Sequence, residues 1–336
     1  MIPSCHASQR VDRSKKERSL KICVLGAGAL GCAIGGVLTE AGHEVWLVNR
    51  GKAHVDAMKL HGLRMRENGV DRFVPVHATS DCNEIAATSD AVDLIIVLVK
   101  SFHTHDAITA ALPILGRDTV VLSLQNGLGH EDILAAAVGR ERVLAGKTYA
   151  GGVMLGPGHI IVGTRGKDTH IGELDGRVSE RITCIANAFN QAGLVTAVSE
   201  NIMATMWDKL LVNVATGALS GITGLTYGEL YQIPEIEACA VAAVSEAMAV
   251  AHASGIKLSM SDAHEPWIKA GAGLPPEFKA SMLQSLEKGS ATEIDYVNGS
   301  VVRWGAKVGV ATPVNQALVA CVKGVERALL QKGFAL

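Results

Sequence analysis

Short, nearly continuous apolar runs separated by glycine-rich or amphipathic segments occupy residues 21–198 of the chain. From about residue 200 onward a helical repeat of apolar positions takes their place. The clearest apolar runs are Lys21–Leu25, Glu44–Val48 and residues 93–99, and such runs are typical of parallel strands that are covered on both faces. Because strands and helices alternate through short loops, the pattern predicts an α/β fold with a doubly wound sheet, followed by an all-α region.

The same pattern predicts further elements and three regions along the chain. Asn68-Gly69 lies between two short apolar segments, so a hairpin turn is expected there. The other predicted strands lie at 119–124, within 143–174 and in a short strand that ends near residue 198, with a helix between the last two. The remaining predicted helices lie at 104–115, 130–138, 200–219, 233–254, 278–288, 293–309 and 313–331. We predict a disordered tail at 1–20, an α/β domain at 21–198 and a helical domain at 199–336.

Composition narrows the class of protein. The 336 residues are 48% hydrophobic and 19% charged, which excludes a disordered chain. The 31 basic and 33 acidic residues leave a net charge of −2, so we expect no nucleic-acid partner. Apolar runs stay below 18 residues and residues 1–20 lack the apolar core of a secretory signal, so neither a membrane span nor export is expected.

The cysteines point to a reducing compartment. The chain has seven of them, an odd number, scattered and without a CxxC pair. Neither a disulfide framework nor a metal site is expected from that arrangement. We therefore expect a cytoplasmic protein without a metal ion.

A glycine loop follows the first predicted strand and opens a helix. Its sequence fits GxGxxG, in which the first glycine allows the tight turn, the second lets the backbone approach a pyrophosphate and the third lets helix pack on strand. Because the motif lies inside a complete strand–helix–strand unit, it predicts a Rossmann-type dinucleotide-binding domain rather than a structural glycine turn. The predicted cofactor-binding residues of the loop are Gly26, Ala27, Gly28, Ala29, Leu30 and Gly31.

The end of the second strand bears on which dinucleotide binds. NAD sites usually carry an Asp or Glu at this place, which accepts a hydrogen bond from the ribose 2′-hydroxyl. Here Asn49 and Arg50 follow the strand instead. A guanidinium can form a bidentate contact with a 2′-phosphate, so NADP(H) is favoured. The alternative is that Arg50 is a solvated loop residue that binds no ligand.

Two more strand ends carry polar residues at the edge where open α/β sheets bind ligands. Lys100 follows the apolar run at 93–99, and Asn126 follows the strand at 119–124. Either residue could simply end its strand, since Asn-Gly is a turn signal in itself. Thr148 and Glu173 are similarly placed but weaker candidates.

Candidate chemistry in the helical region begins with Lys209 and Asn213. The two residues are four positions apart on a polar face beside the apolar stripe of the predicted helix at 200–219. A lysine in a cleft beside a nucleotide can donate to a carbonyl oxygen and stabilise the alkoxide that hydride transfer produces. The alternative is a solvated lysine that covers the edge of the helix.

Glu293 and Ser281 are further candidates near the end of the chain. Ser290-x-x-Glu293 matches a capping box, so Glu293 is expected either to cap a helix or to bind a substrate hydroxyl. Ser281, without its context, would more often be a helix cap than a ligand.

Taken together and in order, several segments resemble one family. They are VLGAGALG at the first turn, VKSFHT at 99–104, LQNGLG at 124–129, WDKLLVN around Lys209, SMLQSLEKG around Ser281 and TEIDYVNG around Glu293. The set is similar to ketopantoate reductases (2-dehydropantoate 2-reductases) over about residues 21–330. The resemblance implies NADPH-dependent reduction of a 2-oxo acid at its keto carbon, most simply ketopantoate to pantoate in pantothenate biosynthesis.

The resemblance also implies a role for each candidate residue. Lys209 matches the catalytic lysine that protonates the carbonyl oxygen, and Glu293 matches the glutamate that orients the substrate through its hydroxyl. Ser281 matches a serine near the substrate carboxylate, and Asn213 an asparagine of the substrate helix. The positions that match the lining of the nicotinamide and substrate cleft or the cofactor fingerprint are Lys100, Asn126, Gly26, Gly28, Gly31 and Arg50.

Two departures from the family pattern keep the substrate open. Gly217 stands where the family often has a second asparagine, and Tyr227 stands where it tends to have one before Gly-Glu-Leu. Losing hydrogen-bonding amides from a polar pocket changes which substrate is held. The alternatives are therefore a paralogue that reduces another 2-oxo acid, or a non-catalytic NADP(H)-binding sensor. A homodimer is a further expectation.

Overall fold

The computed structural model describes residues 19–88 and 91–331, so most of the expected tail at 1–20 lies outside the described residues. Twelve strands are formed in this part of the chain. They are β1 Lys21–Leu25, β2 Glu44–Val48, β3 Leu63–Glu67, β4 Val70–Val74, β5 His77–Thr79, β6 Val92–Val97, β7 Leu115–Ser123, β8 Val143–Thr148, β9 Gly151–Gly156, β10 His159–Gly163, β11 Thr169–Glu173 and β12 Thr196–Val198.

Thirteen α-helices are formed in the same residues. They are α1 Ala29–Glu40, α2 Lys52–His61, α3 Cys82–Thr88, α4 Thr104–Ala110, α5 His130–Val138, α6 Glu180–Gln191, α7 Ile202–Thr223, α8 Tyr227–Leu230, α9 Pro234–Ala253, α10 His264–Gly271, α11 Ser281–Glu287, α12 Asn298–Val308 and α13 Pro313–Gln331. The strands and α1–α6 precede residue 199, and α7–α13 form the helical remainder, so the predicted α/β and all-α fold class is confirmed.

The main sheet has the strand order β12-β11-β8-β7-β6-β1-β2-β5. Its pairs are parallel except β11 with β8, which is antiparallel. The chain moves outward from β1 in both directions, to β2 on one side and to β6 on the other. The carboxyl ends of β1 and β6 therefore meet at the reversal of strand order, where open α/β sheets bind ligands.

A second sheet, of order β4-β3-β10-β9, packs against α1. Its hairpin between β3 and β4 turns at Asn68 and Gly69, whose φ angles are 49° and 80°. Two positive φ angles define the turn type that matches the twist of a two-residue hairpin. The Asn-Gly turn is thus where the sequence predicts it.

Apolar cores lie on both faces of the main sheet and within the helical region. Ile22 and Val24 of β1 face the core shared with α1 and α6, while Cys23 and Leu25 face the opposite core. This alternation explains the continuous apolar run of β1. Trp207 is fully buried at the centre of the helical core.

Several predicted boundaries were exact and others were wrong. The predicted strands Lys21–Leu25 and Glu44–Val48 and the predicted helices at 130–138 and 313–331 coincide with observed elements. The predicted helix 104–115 ends at Ala110, because Pro113 lies in a 3-10 turn and β7 begins at Leu115. Helices α2, α3, α8 and α10 were not predicted, since they are short or carry mixed polar and apolar faces.

The predicted helix 293–309 is wrong over its first turn. A 3-10 turn covers Ile294–Tyr296, and α12 starts only after Val297, whose φ and ψ are −100° and −96°.

Helix α9 is the one described helix long and apolar enough to cross a membrane by length and composition. It contributes Ala243 and Ala247 to the helical core.

Candidate active site

The glycine loop lies between the ends of β1 and β6 and the start of α1. Gly26 has φ +101°, and a Cβ there would lie 2.3 Å from the Val99 amide nitrogen. A Cβ on Gly31 would lie 2.3 Å from the Gly26 carbonyl oxygen, whereas one on Gly28 would meet no atom within 4 Å. Gly26 and Gly31 therefore serve the packing of the loop. Gly28 keeps open the space above the N-terminus of α1, as a bound pyrophosphate requires.

Two side chains outside the predicted site residues, Asn49 and His54, support this loop. The Ala27 carbonyl accepts a hydrogen bond from Asn49 Nδ2 at 2.7 Å, and His54 Nε2 lies 3.0 Å from the same oxygen. His54 Nδ1 accepts from the Gly158 amide at 2.9 Å, so the Nε2 atom carries the proton and donates to Ala27. His54 belongs to the unpredicted helix α2, which is why no sequence pattern indicated it.

A cavity of about 880 Å³ extends from the glycine loop along the carboxyl ends of the strands. Arg50 and His103 line one part of it, and Arg50 Nη2 lies 2.6 Å from His103 Nε2. Burial and the neighbouring Arg50 charge lower the pKa of His103, while Asp106 opposes the shift. The Arg50 guanidinium fits a 2′-phosphate, and His103 accepts a hydrogen bond from that guanidinium. His103 is the histidine of the VKSFHT segment and was overlooked beside Lys100.

Lys209 reaches from α7 to the edge of the main sheet. Its Nζ donates to Asn126 Oδ1 at 2.8 Å and to the Thr148 carbonyl at 2.7 Å. Burial, followed by the charge of Lys147, lowers the pKa of Lys209 to about 8, against an opposing effect of Glu293. The lysine is therefore held in place by the α/β domain and is not a solvated helix-edge residue. Its pKa suits proton transfer near neutral pH.

Glu293 faces the same cavity from the helical region. One carboxylate oxygen accepts hydrogen bonds from the Ser101 amide and hydroxyl at 3.1 and 2.5 Å, and the other lies 3.6 Å from Lys100 Nζ. Glu293 has no side-chain capping bond, so the expected capping box with Ser290 is wrong. The carboxylate bridges to the α/β domain instead, and it lines the cavity together with Lys100 and Asn126.

The remaining substrate candidates, Asn213 and Ser281, are not among the residues that line the cavity. Asn213 is partly buried on α7, one helical turn beyond Lys209. Ser281 is the exposed first residue of α11, and the N-cap of that helix is Ala280, so the expected capping role of Ser281 is wrong. Of the weaker candidates, Thr148 supplies the carbonyl that binds Lys209, whereas Glu173 is buried and pairs with Arg181.

The two departures from the family pattern have different surroundings. At Gly217 an added Cβ would meet only the Met282 methyl carbon at 3.7 Å, so there is room for a larger side chain. Tyr227 is buried, and its hydroxyl lies 2.9 Å from Thr216 Oγ1 in the helical core. Tyr227 therefore packs inside the domain, and of the two positions Gly217 is the one that leaves open space.

No group of three or more His, Cys, Asp or Glu side chains that could hold a metal ion occurs in residues 19–88 and 91–331. The six cysteines in those residues are free thiols.

Comparisons with known proteins agree along nearly the whole chain. The family model "Ketopantoate reductase PanE/ApbA" matches residues 22–176, and the model of its C-terminal part matches residues 201–326. The 2-dehydropantoate 2-reductase of Pyrococcus horikoshii is 35% identical over 308 residues, which cover 91% of this chain and 98% of that protein.

Solved structures show the same similarity. A PanE/ApbA family ketopantoate reductase from Ralstonia eutropha has a TM-score of 0.83 and 36% identity over 93% of this chain and all of that one. A D-mandelate dehydrogenase with NADH and anilino(oxo)acetate has a TM-score of 0.82 and 30% identity over 92% of this chain and 99% of its own.

The glycine loop lies at the switch in strand order, and Lys209 of α7 contacts Asn126 of the α/β domain. These features define a two-domain dinucleotide-binding protein. The chain belongs to the ketopantoate reductase family.

Proposed function

We propose that the protein catalyses NADPH-dependent reduction of a 2-oxo acid to a 2-hydroxy acid, with ketopantoate as substrate and pantoate as product. The observation that carries the proposal is that Lys100, Asn126 and Glu293 line one cavity beside the glycine loop and that Lys209 donates a hydrogen bond to Asn126 at its edge. Curated relatives named 2-dehydropantoate 2-reductase support the substrate.

NADPH, when bound by the glycine loop with Arg50 and His103, supplies the hydride for the keto carbon. The Lys209 ammonium donates a hydrogen bond to the keto oxygen and then transfers a proton to it, so that hydride and proton together complete the reduction. Asn126 and the Thr148 carbonyl hold the lysine at 2.8 and 2.7 Å, which fixes its direction before substrate arrives. Glu293 accepts a hydrogen bond from a substrate hydroxyl, and Lys100 and Ser101 orient its carboxylate.

The pH dependence of the reduction should follow Lys209. The ammonium form is the acid, and its pKa is lowered to about 8 by burial, so the acid is present below that pH and lost above it. We expect kcat/KM for the 2-oxo acid to be level near neutrality and to fall as pH rises through about 8, by roughly tenfold per pH unit. Initial rates at saturating NADPH across a pH series measure this. A profile that stays level well into the alkaline range would contradict the role of Lys209.

Arg50 should determine the preference for the phosphorylated cofactor. Arg50→Gln removes the guanidinium while keeping a polar side chain at the exposed edge of the cavity. We expect KM for NADPH to rise roughly 10- to 100-fold, as for loss of a charge-assisted phosphate contact, with little change for NADH. Steady-state kinetics with both cofactors measure the difference. Equal changes for NADPH and NADH would show that Arg50 does not contact the 2′-phosphate.

The proposed activity is tested by NADPH oxidation with ketopantoate beside a panel of other 2-oxo acids. Fast turnover of ketopantoate would support the proposal and its place in pantothenate synthesis. Tight NADPH binding without turnover of any 2-oxo acid would favour the non-catalytic sensor instead. The cytoplasmic location and the homodimer stay predictions.

A second candidate function is reduction of a different 2-oxo acid. The open space at Gly217 and the similarity to a D-mandelate dehydrogenase favour it. If Gly217 widens the pocket for a larger substrate, Gly217→Asn should lower kcat/KM for the bulkiest accepted 2-oxo acid by roughly tenfold or more and improve the ratio for ketopantoate. Competition between the two substrates in one assay measures that ratio. An unchanged ratio would remove Gly217 from substrate selection.

A further inference from the structure

A buried carboxylate on the last helix holds the residue that precedes Glu293. Glu326 of α13 is 8% exposed, and its Oε1 accepts hydrogen bonds from both the amide and the hydroxyl of Thr292, each at 2.7 Å. Its other oxygen lies 3.3 Å from Lys323 Nζ. Thr292 Oγ1 in turn accepts from the Ile294 amide at 3.3 Å. Of the two neighbours of Glu293 in the chain, Thr292 is thus bound to the carboxylate directly and Ile294 through the Thr292 hydroxyl.

This anchoring acts where regular structure is absent. The segment 292–297 contains a single 3-10 turn before α12 begins at Asn298, so helical hydrogen bonds fix little of its path. Its other end is held by the Tyr296 carbonyl, which accepts from the Leu128 amide of the α/β domain at 3.0 Å. Lys323 also pairs with Asp295 at 2.6 Å. Helix α13 therefore helps to fix the position of this segment, together with the domain contact and the bond that Arg303 of α12 donates to the Asp295 carbonyl.

Burying a carboxylate is costly unless its oxygens are satisfied, and here Thr292 and Lys323 satisfy the two oxygens of Glu326. The same bonds fix the backbone at Thr292, directly before Glu293. A displacement of about 1 Å in a group that orients a substrate can cost on the order of 100-fold in rate.

We propose that Glu326 is a positioning residue for Glu293, acting through Thr292 to hold the Glu293 carboxylate against Ser101 and Lys100 at the cavity. The inference rests on the proposed function, in which Glu293 binds the substrate hydroxyl. Glu326 itself does not line the cavity, whereas Glu293 does.

The variants Glu326→Ala and Glu326→Gln test the proposal. Glu326→Ala removes the acceptor of both Thr292 bonds, and we expect KM for the 2-oxo acid to rise roughly 10- to 100-fold while KM for NADPH stays within about twofold. Glu326→Gln keeps an acceptor oxygen for Thr292 and should restore most of the affinity.

Glu246→Ala is the matched control. Glu246 also holds α13, since it accepts from the amides of Val314 and Asn315 at 2.8 and 3.0 Å, but it contacts the start of that helix and not the segment of Glu293. We expect it to lower the unfolding midpoint without changing KM for the 2-oxo acid. Equal KM increases in Glu326→Ala and Glu246→Ala would show a general effect of loosening α13 and would overturn the proposal.

A double-mutant cycle with Glu293→Gln completes the test. If Glu326 acts through Glu293, Glu326→Ala should add little to the KM of Glu293→Gln, and hydrogen exchange of residues 291–297 should quicken in Glu326→Ala but not in Glu246→Ala. Additive KM effects, or quicker exchange with an unchanged KM, would overturn it. Failure of the proposed function is separately visible, because the wild-type protein would then turn over no 2-oxo acid.

Discussion

Replacing Lys209 with Ala should reduce kcat for 2-oxo acid reduction by roughly 10²- to 10⁴-fold, the range expected for loss of a positioned general acid. The Nζ atom is the one group held between Asn126 Oδ1 and the Thr148 carbonyl, and no other ammonium contacts either atom in the part of the chain that the structure describes. Affinity for NADPH should barely change, because Lys209 does not line the cavity beside the glycine loop. Single-turnover rates and NADPH titration measure the two effects.

Lys147→Ala is the informative companion to Lys209→Ala. The Lys147 and Lys209 ammonium groups each lie 5.4 Å from the centre of the Tyr149 ring, and the charge of Lys147 contributes to the lowered pKa of Lys209. Removing Lys147 should therefore retain turnover near neutrality and move the alkaline fall in rate to higher pH. A Lys209→Ala variant with near-normal turnover would exclude the lysine from the mechanism.

Replacing Gly28 with Ala should weaken NADPH binding on the order of 100-fold, a loss of about 3 kcal/mol, with an unchanged unfolding midpoint. Gly28 has φ −80°, which alanine adopts, and its added Cβ would meet no protein atom within 4 Å. The methyl group would instead occupy the space that the pyrophosphate needs at the start of α1. Calorimetric titration with NADPH and thermal unfolding of the cofactor-free protein measure the two quantities.

Gly31→Ala provides the contrast for Gly28→Ala. Its Cβ would lie 2.3 Å from the Gly26 carbonyl oxygen, so the loop and α1 would have to separate. We expect destabilisation by about 1–3 kcal/mol in the absence of cofactor, as for an overpacked core. If Gly28→Ala bound NADPH with wild-type affinity, the loop would not be the pyrophosphate site.

Features that depend on neighbouring residues could be predicted from the sequence. The strands Lys21–Leu25 and Glu44–Val48, the glycine loop between them and the Asn68-Gly69 hairpin all follow from local apolar patterns or from backbone angles that glycine and asparagine adopt. The edge that carries Lys100 and Asn126 was also predictable, because the carboxyl ends of parallel strands share one side of a sheet.

Local patterns misled where a side chain has a distant partner. Glu293 fits a capping box by its spacing from Ser290, yet its carboxylate bonds Ser101, which lies 192 positions away in the sequence. A 3-10 turn stands where the first turn of the predicted helix was expected. Helix α2 was also missed, and with it the His54 contact to the glycine loop.

The sequence by itself determined the first two strands, the dinucleotide loop between them and the residue types that chemistry needs, since each depends on contacts within a few positions. Only the tertiary structure decided which of those residues meet. Lys209 and Asn126 are 83 positions apart and Thr292 and Glu326 are 34 apart, yet each pair is joined by a hydrogen bond. Because tertiary packing, within the helical region and between the two domains, brings these groups together, the lowered pKa of Lys209 and the orientation of Glu293 are properties of the folded protein.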